Sequence, residues 1–140
     1  MKIIFVCHGS ICRSPAAEYI FKWLNQDHEV VSRAVSHEEI GNDIYPPMKR
    51  ELNRRHIPYS THYATYITNE DFHKADYIFY MDSSNRYLLE RRFGQSEKIL
   101  PIFHFTNGIY EIEDPWYTDN FEKVVDQITT CIKDIIKHLN

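Results

Sequence analysis

The sequence lacks the features of a secreted or membrane-bound protein. It contains only three cysteines, and this small, odd number does not suit a disulfide-stabilised secreted scaffold. No apolar run approaches the roughly 20 residues that cross a bilayer, and the apolar start of the chain is too short for a signal peptide. We therefore expect a cytoplasmic protein with reduced cysteines and no membrane partner.

A basic excess is also missing. Sixteen Lys and Arg residues against twenty Asp and Glu residues give a formal net charge of -4. A general nucleic-acid binder usually carries the opposite balance, so we expect no nucleic-acid partner. The 140 residues are 43% hydrophobic and 26% charged, which is typical of a globular domain large enough to bury a core. With no repeat or linker, residues 1–140 are predicted to form one domain.

Strand and helix patterns alternate along the chain. Apolar runs predict strands at residues 2–6, 29–35, 76–81 and 98–100. Amphipathic patterns predict helices at residues 14–25, 48–56, 83–93 and 121–139. This alternation indicates an α/β fold with three layers, in which a four-stranded parallel sheet has helices on both faces. Ligands bind such sheets at the carboxyl ends of the strands, and Cys7 follows the first strand.

The most informative segment is the loop Cys7-His8-Gly9-Ser10-Ile11-Cys12-Arg13-Ser14. It joins a strand to a helix N-terminus, where unpaired backbone N–H groups favour an anion. Gly9 permits the close backbone approach of an anion-binding nest, and the planar guanidinium of Arg13 can hold two phosphate oxygens. The same field is expected to stabilise a Cys7 thiolate, helped by the Ser14 hydroxyl. A lone cysteine after a strand is usually buried and inert, but its spacing from Arg13 favours a nucleophile.

Three blocks of sequence carry a resemblance to a known family: residues 6–15 (VCHGSICRSP), 76–85 (DYIFYMDSSN) and 114–117 (DPWY). Together, and in this order, they resemble the low-molecular-weight protein tyrosine phosphatases. The resemblance implies a single phosphatase domain that hydrolyses phosphotyrosine in proteins, and small aryl phosphates, through a phosphocysteine intermediate. It implies no cofactor and no metal. The implied partners are tyrosine-phosphorylated proteins, with inorganic phosphate or similar oxyanions in the loop.

A general acid is required because the leaving phenolate needs a proton, and such catalysis typically contributes about 10²–10⁴-fold. Asp114 is the candidate, since Asp-Pro followed by two aromatic residues resembles the general-acid loop of the family. Pro115 would restrict Asp114 to an extended conformation. Once deprotonated, the same carboxylate would activate water against the phosphocysteine. Asp-Pro is otherwise a common turn, so this role depends on the Cys7 loop. The predicted catalytic residues are Cys7, Arg13 and Asp114.

Further residues are expected to bind the substrate or to support the loop. The loop itself is expected to supply the substrate-binding residues His8, Gly9, Ser10, Ile11, Cys12 and Ser14. Trp116 and Tyr117 are expected to flank the cleft and to stack on the ring of the substrate. His62 and Ser32 resemble a supporting pair that hydrogen-bonds the loop and holds Ser14.

Some positions depart from the family pattern or have two interpretations. Family members usually carry asparagine at the position of Ser10, and asparagine tolerates a left-handed backbone better than serine does. Arg33 is atypical, and an aromatic residue often found at the edge of the cleft is replaced near Glu38. Asp82 and Asn85 lie in a matching block, but they could simply cap the helix that follows. These departures leave the chemistry intact and the substrate preference open.

The cysteines allow a metal interpretation and a redox interpretation. Cys7, His8 and Cys12 match no standard zinc spacing, and a fourth ligand is not evident. If the two loop sulfurs can meet, oxidation at Cys7 could be captured as a Cys7–Cys12 disulfide, which would prevent irreversible oxidation. The resemblance supports this hypothesis, because some family members have the same second cysteine.

The sequence allows three other functions. An arsenate reductase of this fold would pass a disulfide to cysteines after the loop, and only Cys131 is available, on the predicted inward face of the last helix. Protein-arginine phosphatases of the family resemble this sequence but carry threonine where Ile11 stands. A phosphate-binding module that has lost catalysis is disfavoured, because Cys7, Arg13 and Asp114 are all present.

Overall fold

The apolar run at the start of the chain forms a central strand because it is buried on both sides. The computed structural model describes all of residues 1–140. Its strands are β1 (Lys2–Cys7), β2 (Glu29–Ala34), β3 (Tyr77–Tyr80) and β4 (Ile99–Pro101). They form one sheet in the order β2-β1-β3-β4, and every neighbouring pair is parallel. The predicted four-stranded parallel sheet is confirmed.

Helices cover both faces of this sheet. They are α1 (Arg13–Leu24), α2 (Pro46–Arg54), α3 (Asn69–Lys74), α4 (Ser83–Phe93), α5 (Pro115–Thr118) and α6 (Phe121–Leu139). Alternate side chains of β1 enter two separate cores: Ile3 and Phe5 pack with α1, α2 and α6, whereas Ile4 and Val6 pack with α3 and α4. This alternation follows from the two-residue period of a strand. The predicted three layers are present.

The long amphipathic helix α6 supplies much of the larger core. Its buried residues are Phe121, Val124, Val125, Ile128, Cys131, Ile132 and Ile135. They recur at intervals of three and four residues, which places them on one helical face. Burying each large aliphatic side chain contributes about 1.5–3 kcal/mol relative to leaving it exposed. Cys131 is completely buried in this face, as predicted.

Short elements and helix starts differ from the sequence predictions. Helix α1 begins at Arg13, with Cys12 rather than Ser14 at the N-cap, and α2 begins at Pro46, since proline suits the first helical turn. Helices α3 and α5 were not predicted, because six and four residues are too few to show a hydrophobic period.

None of the helices combines the length and apolarity needed to cross a membrane.

Candidate active site

The loop after β1 brings Cys7 and Arg13 together at the carboxyl end of the sheet. Cys7 is the last residue of β1, and Arg13 is the first residue of α1. Both side chains are nearly inaccessible, at 3% and 2% exposure. The side chain of the N-cap residue, Cys12, makes no hydrogen bond to the start of α1, and the positive end of the helix dipole lies at the loop, where it favours an anion.

Ser14 and Ser10 form a hydroxyl chain behind the sulfur of Cys7. The backbone N–H of Ser14 donates to Cys7 Sγ at 3.4 Å, and Ser14 Oγ lies 3.3 Å from the same sulfur. Ser14 Oγ also lies 2.9 Å from Ser10 Oγ. When Cys7 is a thiol, protons point along the chain from Cys7 to Ser10. When it is a thiolate, both hydroxyls can turn, so that Ser10 donates to Ser14 and Ser14 donates to the sulfur.

The backbone of Ser10 is left-handed, with φ of +56°. Serine seldom adopts this conformation, and His62 helps to hold it, since His62 Nε2–H donates to the Ser10 carbonyl oxygen at 2.6 Å. Both residues are buried. The predicted contact between His62 and the loop is therefore present.

The predicted contact of Ser32 with the loop is wrong. Ser32 Oγ donates to Glu18 Oε1 at 2.7 Å, so it joins β2 to α1 instead of holding Ser14. Glu18 is itself buried and also accepts a hydrogen bond from Lys22. Sequence reasoning missed the Glu18 carboxylate because its contact with Ser32 depends on how α1 packs against β2.

Arg13 is fixed by partners from distant parts of the chain. Its Nη1 donates to Asp82 Oδ2 at 2.7 Å and to the Ile112 carbonyl at 2.8 Å, while Nη2 lies 3.5 Å from Asp114 Oδ2. Burial opposes the charge of the guanidinium, but Cys7, Asp82 and Asp114 outweigh burial and raise the pKa of Arg13. Its Nε is buried without a partner, which leaves a charged donor available to an anion.

Asp82 has two roles, of which the sequence indicated one. Its Oδ1 accepts from the backbone N–H of Asn85 at 2.9 Å and caps α4, as predicted. Its Oδ2 holds Arg13. The second role could have been suspected from its position directly after β3, because the carboxyl ends of neighbouring parallel strands lie at the same edge of the sheet.

Asp114 caps α5 and also faces the anion loop. Its Oδ1 accepts from the backbone N–H of Trp116 at 3.1 Å, and Pro115 occupies the first helical position. The carboxylate is 26% exposed. The Asp114 side chain therefore both caps α5 and is the candidate general acid, and the short helix orients it towards Arg13.

Most of the predicted site residues line one cleft. It is lined by Cys7, His8, Gly9, Ile11, Cys12, Arg13, Glu38, Glu39, Asp114, Trp116 and Tyr117. The side chains of Ser10 and Ser14 are instead buried behind the loop, so their predicted contact with the substrate would be made by backbone atoms. The Trp116 ring lies 4.5 Å from the ring of Tyr45, whose backbone N–H donates to the Ile11 carbonyl. This contact links the acid segment to the loop.

The two glutamates of this cleft were not predicted as site residues. Glu38 Oε2 lies 2.9 Å from His8 Nε2. Glu39 packs over Gly9 so closely that a Cβ at residue 9 would lie 2.9 Å from its Cγ. Gly9 is thus required for space, whereas the unusual backbone angle belongs to Ser10.

All three cysteines are free thiols and buried. Burial, with the nearby charges of Cys7 and Asp114, raises the pKa of Cys12. Burial also raises the pKa of Cys131 to about 11. No group of three or more His, Cys, Asp or Glu side chains has an arrangement suited to a metal ion.

Comparison with known proteins gives one consistent result. Residues 2–140 match the family model described as low molecular weight phosphotyrosine protein phosphatase. The mouse protein of that name is 38% identical, over 96% of this chain and 93% of its own. The low molecular weight protein-tyrosine-phosphatase PtpB of Staphylococcus aureus is 32% identical, over 97% and 99%. The crystal structure of the low molecular weight protein tyrosine phosphatase SP-PTP from Streptococcus pyogenes has a TM-score of 0.91 and 35% identity, over 99% of this chain and 93% of that chain.

Replacing Ser10 by asparagine is expected to leave aryl phosphate hydrolysis equal or higher. Asparagine tolerates the left-handed backbone better, and its amide can donate to Ser14 Oγ. The matched Ser10→Ala variant loses the hydroxyl chain, so its kcat should fall by about twofold to tenfold, the usual value of one hydrogen bond. Steady-state kinetics on p-nitrophenyl phosphate measures both. A clear loss in a folded Ser10→Asn protein would show that the loop requires a hydroxyl at this position.

Asp82→Asn is expected to raise KM for p-nitrophenyl phosphate by on the order of tenfold and to lower thermal stability, because a buried guanidinium loses its charged partner. Asparagine is also a good N-cap, so α4 should remain intact. The control is Asp27→Asn, which removes an exposed carboxylate away from the cleft and should change neither quantity. A lower melting temperature with unchanged KM would mean that Asp82 acts on the fold alone.

Proposed function

Because this chain belongs to the low molecular weight phosphotyrosine protein phosphatase family, we propose that its Cys7, Arg13 and Asp114 carry out the two-step hydrolysis of phosphotyrosine in proteins. The protein is a cysteine-dependent protein-tyrosine phosphatase of this family. The observation that carries the residue assignment is the convergence of these three side chains, from two distant segments of the chain, on one cleft.

In the first step the Cys7 thiolate attacks phosphorus and the bond from phosphorus to the phenolic oxygen breaks. Asp114 gives its proton to the departing phenolate. The amides of the loop and the free donors of Arg13 stabilise the phosphoryl oxygens. Support comes from the position of Arg13, whose Nη1 is held by Asp82 and Ile112 while its Nε has no protein partner.

In the second step Asp114, now a carboxylate, takes a proton from water as the water oxygen attacks the phosphocysteine. The sulfur–phosphorus bond breaks, inorganic phosphate forms, and Cys7 returns to a thiolate. The Ser14 hydroxyl and backbone N–H, both within 3.4 Å of the sulfur, stabilise that leaving thiolate. No cofactor takes part in either step.

The walls of the cleft support an aromatic phosphate ester as the substrate. Cys7 is almost inaccessible, so a long, flat side chain reaches it more readily than a short one. Ile11, Trp116 and Tyr117 supply apolar surface against which a phenyl ring can pack. The partners proposed are therefore tyrosine-phosphorylated proteins. A nucleophilic thiol functions only while reduced, and together with the three free cysteines this supports a cytoplasmic location.

The rival functions lack comparable support. An arsenate reductase of this fold would pass a disulfide to cysteines after the loop, and Cys131, which alone follows the loop, is fully buried in the core. The protein-arginine phosphatase alternative is disfavoured by Ile11, which lines the cleft. Protein-arginine phosphatases of the family resemble this sequence but carry threonine at that position.

Cys7→Ser should abolish hydrolysis of phosphotyrosine peptides in the presence of a chelator. Asp114→Asn keeps a good cap for α5 but cannot supply the proton, so it should slow phenyl phosphate, a poor leaving group, by about 10²–10⁴-fold. The loss on p-nitrophenyl phosphate should be much smaller, because its leaving group needs little protonation. Activity that survived Cys7→Ser, or that required a metal, would contradict the mechanism.

Peroxide treatment tests the predicted Cys7–Cys12 disulfide. The raised pKa of Cys12 keeps it protonated and unreactive towards peroxide, so Cys7 should be oxidised first to a sulfenic acid. Oxidation removes the Cys7 thiolate charge that helps to raise the pKa of Cys12, so the Cys12 thiol can then lose its proton and its sulfur can attack the sulfenic acid. The disulfide forms and water leaves. Activity recovered on adding thiol should be lower in Cys12→Ser than in wild type. Equal recovery in the two proteins would refute the disulfide, and Cys131→Ala serves as the control.

A further inference from the structure

Acidic side chains line a cleft that is expected to receive a phosphate dianion. Glu38, Glu39 and Asp114 are three carboxylates of its lining, against the permanent cation Arg13 and the titratable His8. Arg13 and Asp114 belong to the catalytic chemistry proposed above. The two glutamates belong to the turn after β2 and have no part in that chemistry, so their charges require a separate explanation.

Glu39 is held in place without a cation. Its Oε2 accepts from Asn42 Nδ2 at 2.7 Å, and its aliphatic part packs on the backbone of Gly9. It forms no ion pair, whereas other carboxylates are paired with a cation, such as Glu51 with Arg55. An ordered carboxylate beside the anion loop is therefore not paired with a cation.

Glu38 places a second carboxylate at the more exposed side of the cleft. Its side chain is 71% exposed, and its one partner is His8, at 2.9 Å. A neutral imidazole leaves the carboxylate uncompensated, and a protonated one offsets it in part. The other titratable groups facing this turn are the Cys7 and Cys12 thiols and Asp114 in the same cleft, and none of them adds positive charge. The negative charge of Glu39 also contributes to the raised pKa of Cys12, so its field reaches the loop.

The expected phosphate site indicates where Glu38 and Glu39 lie relative to a substrate. The unpartnered, buried Nε of Arg13 and the uncapped start of α1 mark the floor of the cleft as the phosphate site. A phosphotyrosine side chain that reaches the floor leaves its own backbone and adjacent residues at the mouth. Those adjacent side chains then lie within range of the carboxylates of Glu38 and Glu39, since interactions between charges extend over about 10 Å at moderate salt.

We propose that Glu38 and Glu39 form a specificity rim that selects phosphotyrosine with Lys or Arg beside it and rejects phosphotyrosine with Asp or Glu beside it. A cationic neighbour offsets both the glutamates and the phosphate dianion, whereas an acidic neighbour adds a further negative charge. The inference rests on the proposed function and adds the class of peptide that the site prefers. The rim residues act on binding of the flanking side chains and have no role at the phosphorus atom.

Three phosphotyrosine peptides that differ only in the two flanking residues (Lys, Ala or Glu) test the rim. For the wild-type enzyme at low salt, kcat/KM should fall in the order Lys, Ala, Glu, with about a tenfold span between the first and the last. The difference should lie in KM, since the chemistry at phosphorus is the same. The span should contract at about 0.5 M salt, because salt screens charges at the surface.

Substitutions at Glu38 and Glu39 test whether these residues cause the preference for basic flanking residues. Glu39→Gln and Glu38→Gln preserve shape and hydrogen-bonding capacity, and the double variant should reduce the Lys-to-Glu span to about twofold or less. Glu97→Gln removes an exposed carboxylate far from the cleft lining and should retain the wild-type span. The ratio between peptides is the readout, so a general change in activity does not affect the result.

The outcomes are distinct. Equal kcat/KM for the three peptides in wild type, or an unchanged span in the double variant, would overturn the rim while leaving the phosphatase assignment untouched. Failure to hydrolyse even the alanine peptide would overturn the proposed function, and the rim with it. A salt-sensitive span that the double variant abolishes and Glu97→Gln retains would establish the rim.

Discussion

The buried guanidinium of Arg13 is the constraint on which the rest of the site depends. Burying an unpaired charge is costly, and here the cost is offset by partners from two other parts of the chain. Asp82 follows β3, whereas Ile112 and Asp114 belong to the segment before α5. The loop, the central sheet and the acid segment are thereby held in one arrangement. One donor remains unpaired, so the free protein is organised around an anion that completes its hydrogen bonding.

The loop shows how a substituted residue can preserve chemistry by a different contact. At Ser10 the backbone is left-handed, and the strain is offset by the hydrogen bond from His62. The side chain replaces an amide by a hydroxyl that can either accept from Ser14 or donate to it. Because the Ser10 hydroxyl can either donate or accept, the hydrogen bonds can reverse when Cys7 changes between thiol and thiolate. In this chain the hydroxyl of Ser10 is connected through Ser14 to the sulfur of Cys7.

Sequence reasoning agreed with the structure where the residues involved are close along the chain, and it failed where contacts were long-range. The strand, the loop and the first helix are contiguous, so Cys7 and Arg13 could be assigned from spacing. Ser32 was paired with the wrong partner because its orientation depends on the packing of α1 against β2. The short helices α3 and α5 gave no hydrophobic period. The glutamates of the cleft follow no motif, and only the packing of Glu39 on Gly9 and the contact of Glu38 with His8 reveal them.

The sequence by itself determined the parallel α/β fold and predicted the nucleophile, its anion loop and the candidate acid. The fold follows from periodic burial, the loop from a cysteine and an arginine at a set spacing, and the acid from the resemblance of the Asp-Pro segment to the family. Only the tertiary structure decided which side chains enter the cleft and which lie behind it, and which carboxylate holds Arg13. The physical reason is that hydrogen bonds and charges act through space. Asp82 is 69 residues from Arg13 along the chain, and its contact exists only because β1 and β3 are neighbours in the sheet.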